Sequence, residues 1–370
     1  MPPKENRMGK KNSKRKRPGL SAFPAFLFCF LLIVGILFQG DQSPYIRPEG
    51  SVPQTGSAAS PGGSFPDLSD AADDLDSWLR EAGTKLEEIL RPEKETQAIA
   101  ETPSVSETSS FQMTVLDVGQ GLSVLVQSDG HFLLYDGGDR SHSSFVVSYL
   151  LEHGVSSLDY VIASHYDADH LNGVIGALSR FPVDTLLAPD YETDTKLFQS
   201  YQELAAEKGL TPIHPSVGDT YVLGSASFTV LGPVSIDEND SNNNSLAIRI
   251  AYGDTSFLLT GDAGYDEEAA MCSQWGNSLS STVYVAGHHG SGTSSSWELL
   301  QNAVPEYVVI SCGKDNSYGH PHDTTMEKLE AMEIPVFRTD LQGTVSVVSD
   351  GHSLTWSAEP CNDYSPGDES

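Results

Sequence analysis

The apolar and polar positions divide the 370-residue chain into segments of different character. From Leu20 to Phe38 the sequence LSAFPAFLFCFLLIVGILF runs for 19 residues without a charge. That is close to the ~20 apolar residues a membrane-spanning helix needs. Residues 39–110 read as a linker: Pro, Gly and Ser dominate 39–67, and 91–110 is again Pro-, Thr-, Ser- and Glu-rich. Between them, over 68–90, Leu75, Trp78, Leu79, Ala82, Leu86, Ile89 and Leu90 recur at helical spacing with acids in between. This predicts an amphipathic helix, best read as a stalk helix covering part of the domain that follows, with self-association as the other option.

Residues 111–357 carry the pattern of a globular domain. FQMTVLDV, LSVLVQS and HFLLYDGG read as three strands with turns at Gly119–Gly121 and Asp129–Gly130. A helix is expected over Ser143–Glu152, then a strand over Leu158–Ala163. Strands follow at 227–231, 245–252 and 255–260, a helix at 264–275 and a strand at 281–286. The domain closes with a helix near 294–302, strand 306–311, helix 322–332 and strands near 335–338 and 343–348. Strands with interspersed helices predict an α/β or α+β domain of sheets covered by helices. The remainder, 358–370, is an acidic tail expected to be disordered.

Charge changes the picture at the N-terminus. Residues 1–18 hold eight Lys or Arg against the single acid Glu5, whereas the whole chain has a net charge of −30. A basic segment (1–19) ahead of an apolar run stays in the cytoplasm. The run exceeds the ~7–15 apolar residues of a signal core, and no small-x-small site follows it. The expectation is an uncleaved single-pass anchor in the cell membrane, N-terminus cytoplasmic and domain extracellular. The strongly acidic body repels phosphate backbones at long range, which counts against a firm grip on long nucleic acid. Four cysteines, Cys29, Cys272, Cys312 and Cys361, show no disulfide spacing; Cys29 and Cys312 read as buried thiols.

The chemistry concentrates at strand ends. In VIASHYDADHLNG (Val161–Gly173) an apolar strand runs into His165, Asp167, Asp169 and His170, metal-ligand side chains packed within six residues. A solvated charge run does not explain that density after an apolar strand. TSFLLTGDAG ends a second strand in Asp262, STVYVAGHHGS ends a third in His288 and His289, and SCGKDNSYGHPH leads from a fourth to His320 and His322. One sheet edge would gather all of them.

The ordered set LDVGQG, LYDGGD, SHYDADHLNG, NNNSLAI, FLLTGDA, VAGHHGS and YGHPH resembles the metallo-β-lactamase superfamily over about residues 111–350. Within it, the set is similar to the hydrolase domain of ComEC-type DNA-uptake (competence) proteins and their stand-alone relatives. The resemblance implies an αββα sandwich with two divalent metal ions, Mn or Zn, at one edge. His165 and Asp167 would hold the first ion, Asp169, His170 and His288 the second, and Asp262 would bridge. Asp167 stands where the superfamily has a second His, which hardens the site toward Mn. A further His ligand common in the superfamily has no counterpart. His214, in TPIHPS, reads as an ordinary loop residue, and the matching segment is Asn242-Asn243-Asn244-Ser245. Asp136 would support the ligand loop; Asp117, Gln120, Asn244 and Lys314 would line or order the pocket.

The implied activity is metal-dependent hydrolysis, of a phosphodiester or nucleic acid. Asp169 would contribute to catalysis, and His289 or His320 would donate to a leaving group or bind a phosphate oxygen. The substrate is then a phosphodiester, DNA included. With one apolar run in the sequence, DNA import by this chain alone is not expected. Hydrolysis of a cell-envelope phosphoester of the teichoic-acid type shares the same centre and suits the acidic surface better. A non-catalytic, metal-stabilised binding domain is the third reading.

Overall fold

A computed structural model describes residues 110–367, all within the second of the chain's two units, Lys85–Ser370. The expected anchor at 20–38 and the helix at 68–90 lie outside the described residues. Among the described residues no helix is long and apolar enough to cross a membrane.

Strands β1 (Phe111–Val115), β2 (Val124–Ser128) and β3 (His131–Tyr135) open the domain. Helix α1 (Ser143–Glu152), β4 (Leu158–Ile162), helix α2 (Ala168–Arg180), β5 (Val183–Leu187) and helix α3 (Lys196–Glu207) follow. The chain then builds β6 (Thr220–Leu223), β7 (Ala226–Val230), β8 (Ile248–Tyr252), β9 (Thr255–Leu259), helix α4 (Tyr265–Trp275) and β10 (Val283–Val285). Helix α5 (Trp297–Ala303), β11 (Tyr307–Ile310), helix α6 (Asp323–Ala331), β12 (Val336–Arg338) and the short helix α7 (Thr339–Gln342) come next. Finally β13 (Val345–Ser349) and β14 (Leu354–Trp356) return to the first sheet.

Two seven-stranded sheets result, ordered β14-β13-β1-β2-β3-β4-β5 and β12-β11-β10-β9-β8-β7-β6. Alternation along each strand sets the layers, because successive side chains point to opposite faces. Phe111, Met113, Val115, Val124, Val126, Leu133 and Tyr135 meet Phe257, Leu259, Val283 and Val285 in a core between the sheets. Leu125 and Leu134 point the other way and pack with Val146, Leu150, Leu171, Val174 and Leu178 of the helices. Leu258, Tyr284 and Val308 do the same with Met271, Leu299 and Met326. The architecture is therefore helix, sheet, sheet, helix, and the expected sandwich is present in the described residues. Strands β3, β4 and β5 run parallel, as do β9, β10, β11 and β12, so their carboxyl ends collect at common edges.

Three differences from the sequence reading bear on function. First, the segment after His165 is not a loop: α2 begins at Ala168, placing Asp169 and His170 in its first turn. Leu171, Val174, Ala177 and Leu178 bury one face at helical spacing, a pattern masked by the polar ligands beside it. Second, β5, α3, β6 and β14 were not anticipated; their runs are short or mixed in polarity, and sheet neighbours supply what propensity does not. Third, the acidic tail is not disordered as far as Gly367. Asn362 donates its backbone N–H to Val336 O at 3.3 Å, Tyr364 Oη donates to Ile334 O at 2.8 Å, and Gly367 N donates to Pro321 O at 2.8 Å. The buried Arg338 guanidinium holds Ser365 O at 2.5 Å and pairs with Asp340 at 2.7 Å, which offsets the charge that composition alone treats as repulsive.

Cys272 and Cys312 are buried and free, and Cys361 is half-buried and free. Glu267, on α4, is only 4% exposed. Burial pushes its carboxyl from an ordinary 4.5 up to about 8, only partly offset by the N–H of Val234. The folded chain thus keeps a proton that the unfolded chain releases from about pH 4.5 upward. The contribution of Glu267 to stability falls as pH rises through that window and levels off above about 8. In urea melts of the chelated protein, Glu267→Gln is expected to be more stable than the parent, by an amount that grows with pH to on the order of a few kcal/mol. A pH-independent difference would contradict this.

Candidate metal centre

Each chemical side chain sits just past the carboxyl end of a strand. Asp136 follows β3, His165 follows β4, Asp262 follows β9, and His288 and His289 follow β10. Asp169 and His170 reach the same place from the first turn of α2. The turn is seated by a backbone contact that no side chain could share. Gly137 N donates to His170 O at 2.8 Å and Gly173 N to Gly138 O at 3.2 Å, and a methyl on Gly173 would fall onto the Gly137 carbonyl. Gly173→Ala is therefore expected to cost ~1–3 kcal/mol or more, as overpacking does, and to shift α2 with its two ligands. A melting temperature equal to the parent's would count against that contact.

The geometry centres on Asp262. Its Oδ2 lies 3.2 Å from His170 Nε2, 3.5 Å from His289 Nε2, 3.7 Å from His288 Nε2 and 3.9 Å from His165 Nε2. The tautomers follow from the other ring nitrogens. Asp136, fully buried, accepts from Ser164 N at 2.7 Å, Ser164 Oγ at 2.7 Å and His170 Nδ1 at 2.8 Å. Because Ser164 spends its proton on Asp136, its oxygen accepts from His165 Nδ1 at 3.0 Å. His289 Nδ1 donates to Ser311 O at 3.0 Å. His165, His170 and His289 thus each turn an Nε2 lone pair toward Asp262. His288 and His289 adopt left-handed backbone, at φ 49° and 57°, an arrangement sustained only where surroundings enforce it.

Lone pairs and carboxylates crowded this closely call for cationic charge. Burial raises the Asp262 carboxyl, but the positive charge of His170 and His289 and their hydrogen bonds outweigh it and hold it well below the usual range. Burial lowers His170, yet Asp262 and Asp136 drive it well above its ordinary value, and His289 is likewise pushed up to about 9. His165 and His288 are lowered, chiefly by burial. Protons on His170 and His289 would meet the demand; divalent cations meet it with every imidazole neutral. Two buried atoms, His165 Nε2 and Asp262 Oδ1, have no hydrogen-bond partner, a costly state unless a ligand engages them. Two sets of ligand atoms lie within 4.8 Å of one another: His165, His170 and Asp262, and Asp169, His170 and His289. These residues fit a divalent metal ion, and the two sets meet at His170, whose single inward lone pair serves one ion at a time.

The expected ligands thus converge, with particular placements. Asp167 is half exposed and its Oδ2 is 3.9 Å from His165 Nε2. Asp169 Oδ2 lies 3.4 Å from His289 Nε2, so His289 stands among the ligand atoms as well as beside His288. His320 accompanies them, its ring centroid 5.5 Å from that of His288. Asp117 caps its own turn, accepting from Gly119 N at 3.2 Å, and Gln120 reaches His320. Asn244 is turned away and binds the backbone of Asp237. Its neighbours do the work assigned to it: Ser245 Oγ accepts from Asp262 N at 3.0 Å, and Asn243 Oδ1 accepts from Gly264 N at 3.1 Å. Lys314 is exposed on its turn. His214 binds Ala188 O and lines an aromatic pocket instead. Ser164 and Ser245 were missed; the one available signal was their place beside His165 and within NNNS.

Two stacked sheets under helices, with a His- and Asp-rich centre at the strand ends, define the class. The chain belongs to the metallo-beta-lactamase superfamily, whose match spans residues 116–313. Within the superfamily it is similar to ComEC-type competence proteins. It is 32% identical over 244 residues to Competence protein ComA of Neisseria gonorrhoeae, covering 66% of this chain and 33% of that protein. It is 29% identical over 276 residues to ComE operon protein 3 of Bacillus subtilis, covering 70% and 35%. It is 30% identical over 243 residues to Recombination protein 2 of Haemophilus influenzae, covering 64% and 29%. The chain therefore spans about a third of the length of these relatives. Among solved structures, the metallo-beta-lactamase fold protein YhfI from Bacillus subtilis aligns with a TM-score of 0.43 at 17% identity, over 62% of this chain and 96% of that one.

Proposed function

We propose that this chain is a metal-dependent phosphodiester hydrolase acting outside the cell membrane, with a nuclease activity among its possibilities. The convergence of four imidazole Nε2 atoms on Asp262 Oδ2 carries the reading. Held by His165, His170, His289, Asp169 and Asp262, with Asp167 and His288 at the margin, divalent ions would supply Lewis acidity, lowering the pKa of water and offsetting charge on oxygen. The chain's own residues do the rest. Asp136 fixes the tautomer of His170 and Ser164 that of His165. Asp169, half-buried with its Oδ2 3.4 Å from His289 Nε2, is a carboxylate that can accept a proton from water at the centre.

The location rests on the apolar run at 20–38 and the basic segment before it. The phosphodiester preference is supported by the likeness to competence proteins. A second reading, hydrolysis of a cell-envelope phosphoester, is favoured by the charge beside the centre. Asp190, Glu192, Asp194, Asp237 and Glu238 line the two pockets that flank Tyr191, and they disfavour a long polyanion. The test incubates full-length protein with single-stranded DNA, bis-p-nitrophenyl phosphate and isolated cell-wall polymer, with Mn and with chelator. Chelator-sensitive turnover supports the proposal, the preferred substrate separates its two forms, and no turnover on any of the three removes it.

A further inference from the structure

His320 stands outside both ligand sets yet packs beside the rings of His288 and His289. It is 4% exposed, with its ring centroid 5.5 Å from His288 and 6.1 Å from His289. Asn316 grips its backbone, accepting His320 N–H at 3.0 Å and donating to His320 O at 2.6 Å. Tyr318 stacks on the ring at 5.6 Å. These contacts fix where the ring sits. They leave open which nitrogen bears the proton.

Gln120 decides that. The backbone N–H of Gly313 donates to Gln120 Oε1 at 3.2 Å, and a backbone N–H can only donate, so it holds the amide's oxygen at its own end. The amide nitrogen is thereby turned to the ring, with Nε2 3.0 Å from His320 Nδ1. An amide nitrogen also only donates, so His320 Nδ1 accepts and the neutral ring carries its proton on Nε2. The loops are locked together around this pair. Ser311 Oγ donates to Gly121 O at 2.8 Å, and a methyl on Gly313 would come within 2.7 Å of Gln120 N. His320 is thus the opposite of its neighbours. His165, His170 and His289 give their Nδ1 protons to oxygen and present lone pairs, the form that binds a cation. His320 presents an N–H, the form that binds an anionic oxygen.

We infer that Gln120 is a positioning residue: it holds His320 in the Nε2–H form, so that the ring offers a neutral hydrogen-bond donor to an oxygen of the substrate. That the oxygen belongs to a phosphoryl group rests on the proposed activity; the tautomer does not.

Two substitutions in the full-length protein separate this role from plain packing. Gln120→Glu keeps the size and the bond to Gly313 but presents an oxygen to His320 Nδ1. The neutral ring then carries its proton on Nδ1, because that nitrogen now faces only an oxygen, which accepts. Gln120→Leu loses the bond and lets the ring choose. Long-range ¹H–¹⁵N spectra of histidine-labelled protein are expected to show the Nε2–H form of His320 in the parent and the Nδ1–H form in Gln120→Glu. With metal content unchanged, Gln120→Glu is expected to lose roughly a hundredfold in kcat, as removal of one oxyanion donor does, and Gln120→Leu less. A packing role reverses that order, because Glu is the closer isostere. Nδ1–H in the parent, or Gln120→Glu at least as active as Gln120→Leu, overturns the inference. If no phosphodiester is turned over at all, the proposed activity falls while the spectra still decide the tautomer.

Discussion

Asp262→Asn is expected to lower turnover by roughly a thousandfold or more, since metal Lewis acidity contributes several kcal/mol and each 1.36 kcal/mol is a factor of ten. The side chain keeps its shape, so what is lost is charge and one acceptor oxygen. Among the described residues, Asp262 is the carboxylate that approaches all four imidazole Nε2 atoms. An amide there either turns its –NH₂ toward those lone pairs, where a cation belongs, or offers a single neutral oxygen. The second readout is thermal. The parent is expected to gain ~2.7 kcal/mol of stability from Mn at a hundred times its Kd, and Asp262→Asn little or none. Retention of both turnover and the Mn-dependent shift would show that the cluster is not a metal centre.

Asp136→Asn is expected to weaken metal binding by ~10–100-fold, the usual effect of disturbing a group that orients a ligand, with no change in any atom that touches the metal. Asn tolerates the left-handed backbone found here, φ 58°. Its chemistry is the difficulty. Asp136 accepts from three donors, Ser164 N, Ser164 Oγ and His170 Nδ1. Asn has one oxygen for them. If that oxygen stays with Ser164 N, the –NH₂ faces His170 Nδ1, drives the ring to its other tautomer and aims an N–H at Asp262. If the amide flips, the backbone N–H of Ser164 is left buried without a partner, at ~1–3 kcal/mol. Calorimetric titration of the chelated protein with Mn measures the affinity. An unchanged Kd would mean that His170 is oriented by something other than Asp136.

Part of this centre was legible in the sequence because its logic is local. An apolar strand that stops abruptly at His or Asp is visible as a string, and the same string recurs at His165, Asp262 and His288. The supporting contacts were not legible, because each joins residues far apart along the chain. Ser164 meets Asp136 across 28 positions and Ser245 meets Asp262 across 17. Asn244 was the natural residue to choose from Asn242-Asn243-Asn244-Ser245, but the turn at 242–244 sends Asn244 to Asp237 and its two neighbours to the strand end at Asp262. Composition misjudged the tail for a related reason. Its acids repel in bulk, yet one buried guanidinium, Arg338, supplies a specific anchor.

What the chain's sequence determined by itself was the layering and the inventory: alternating apolar strands that must bury both faces, helices to cover them, and ligand-type side chains at the strand ends. Local periodicity and residue chemistry are enough for that. Only the tertiary structure decided which nitrogen of each imidazole faces inward, because a tautomer is set by the partner on the ring's far side. Here those partners are Asp136, Ser164, Ser311 and Gln120, and the fold alone brings them to the rings.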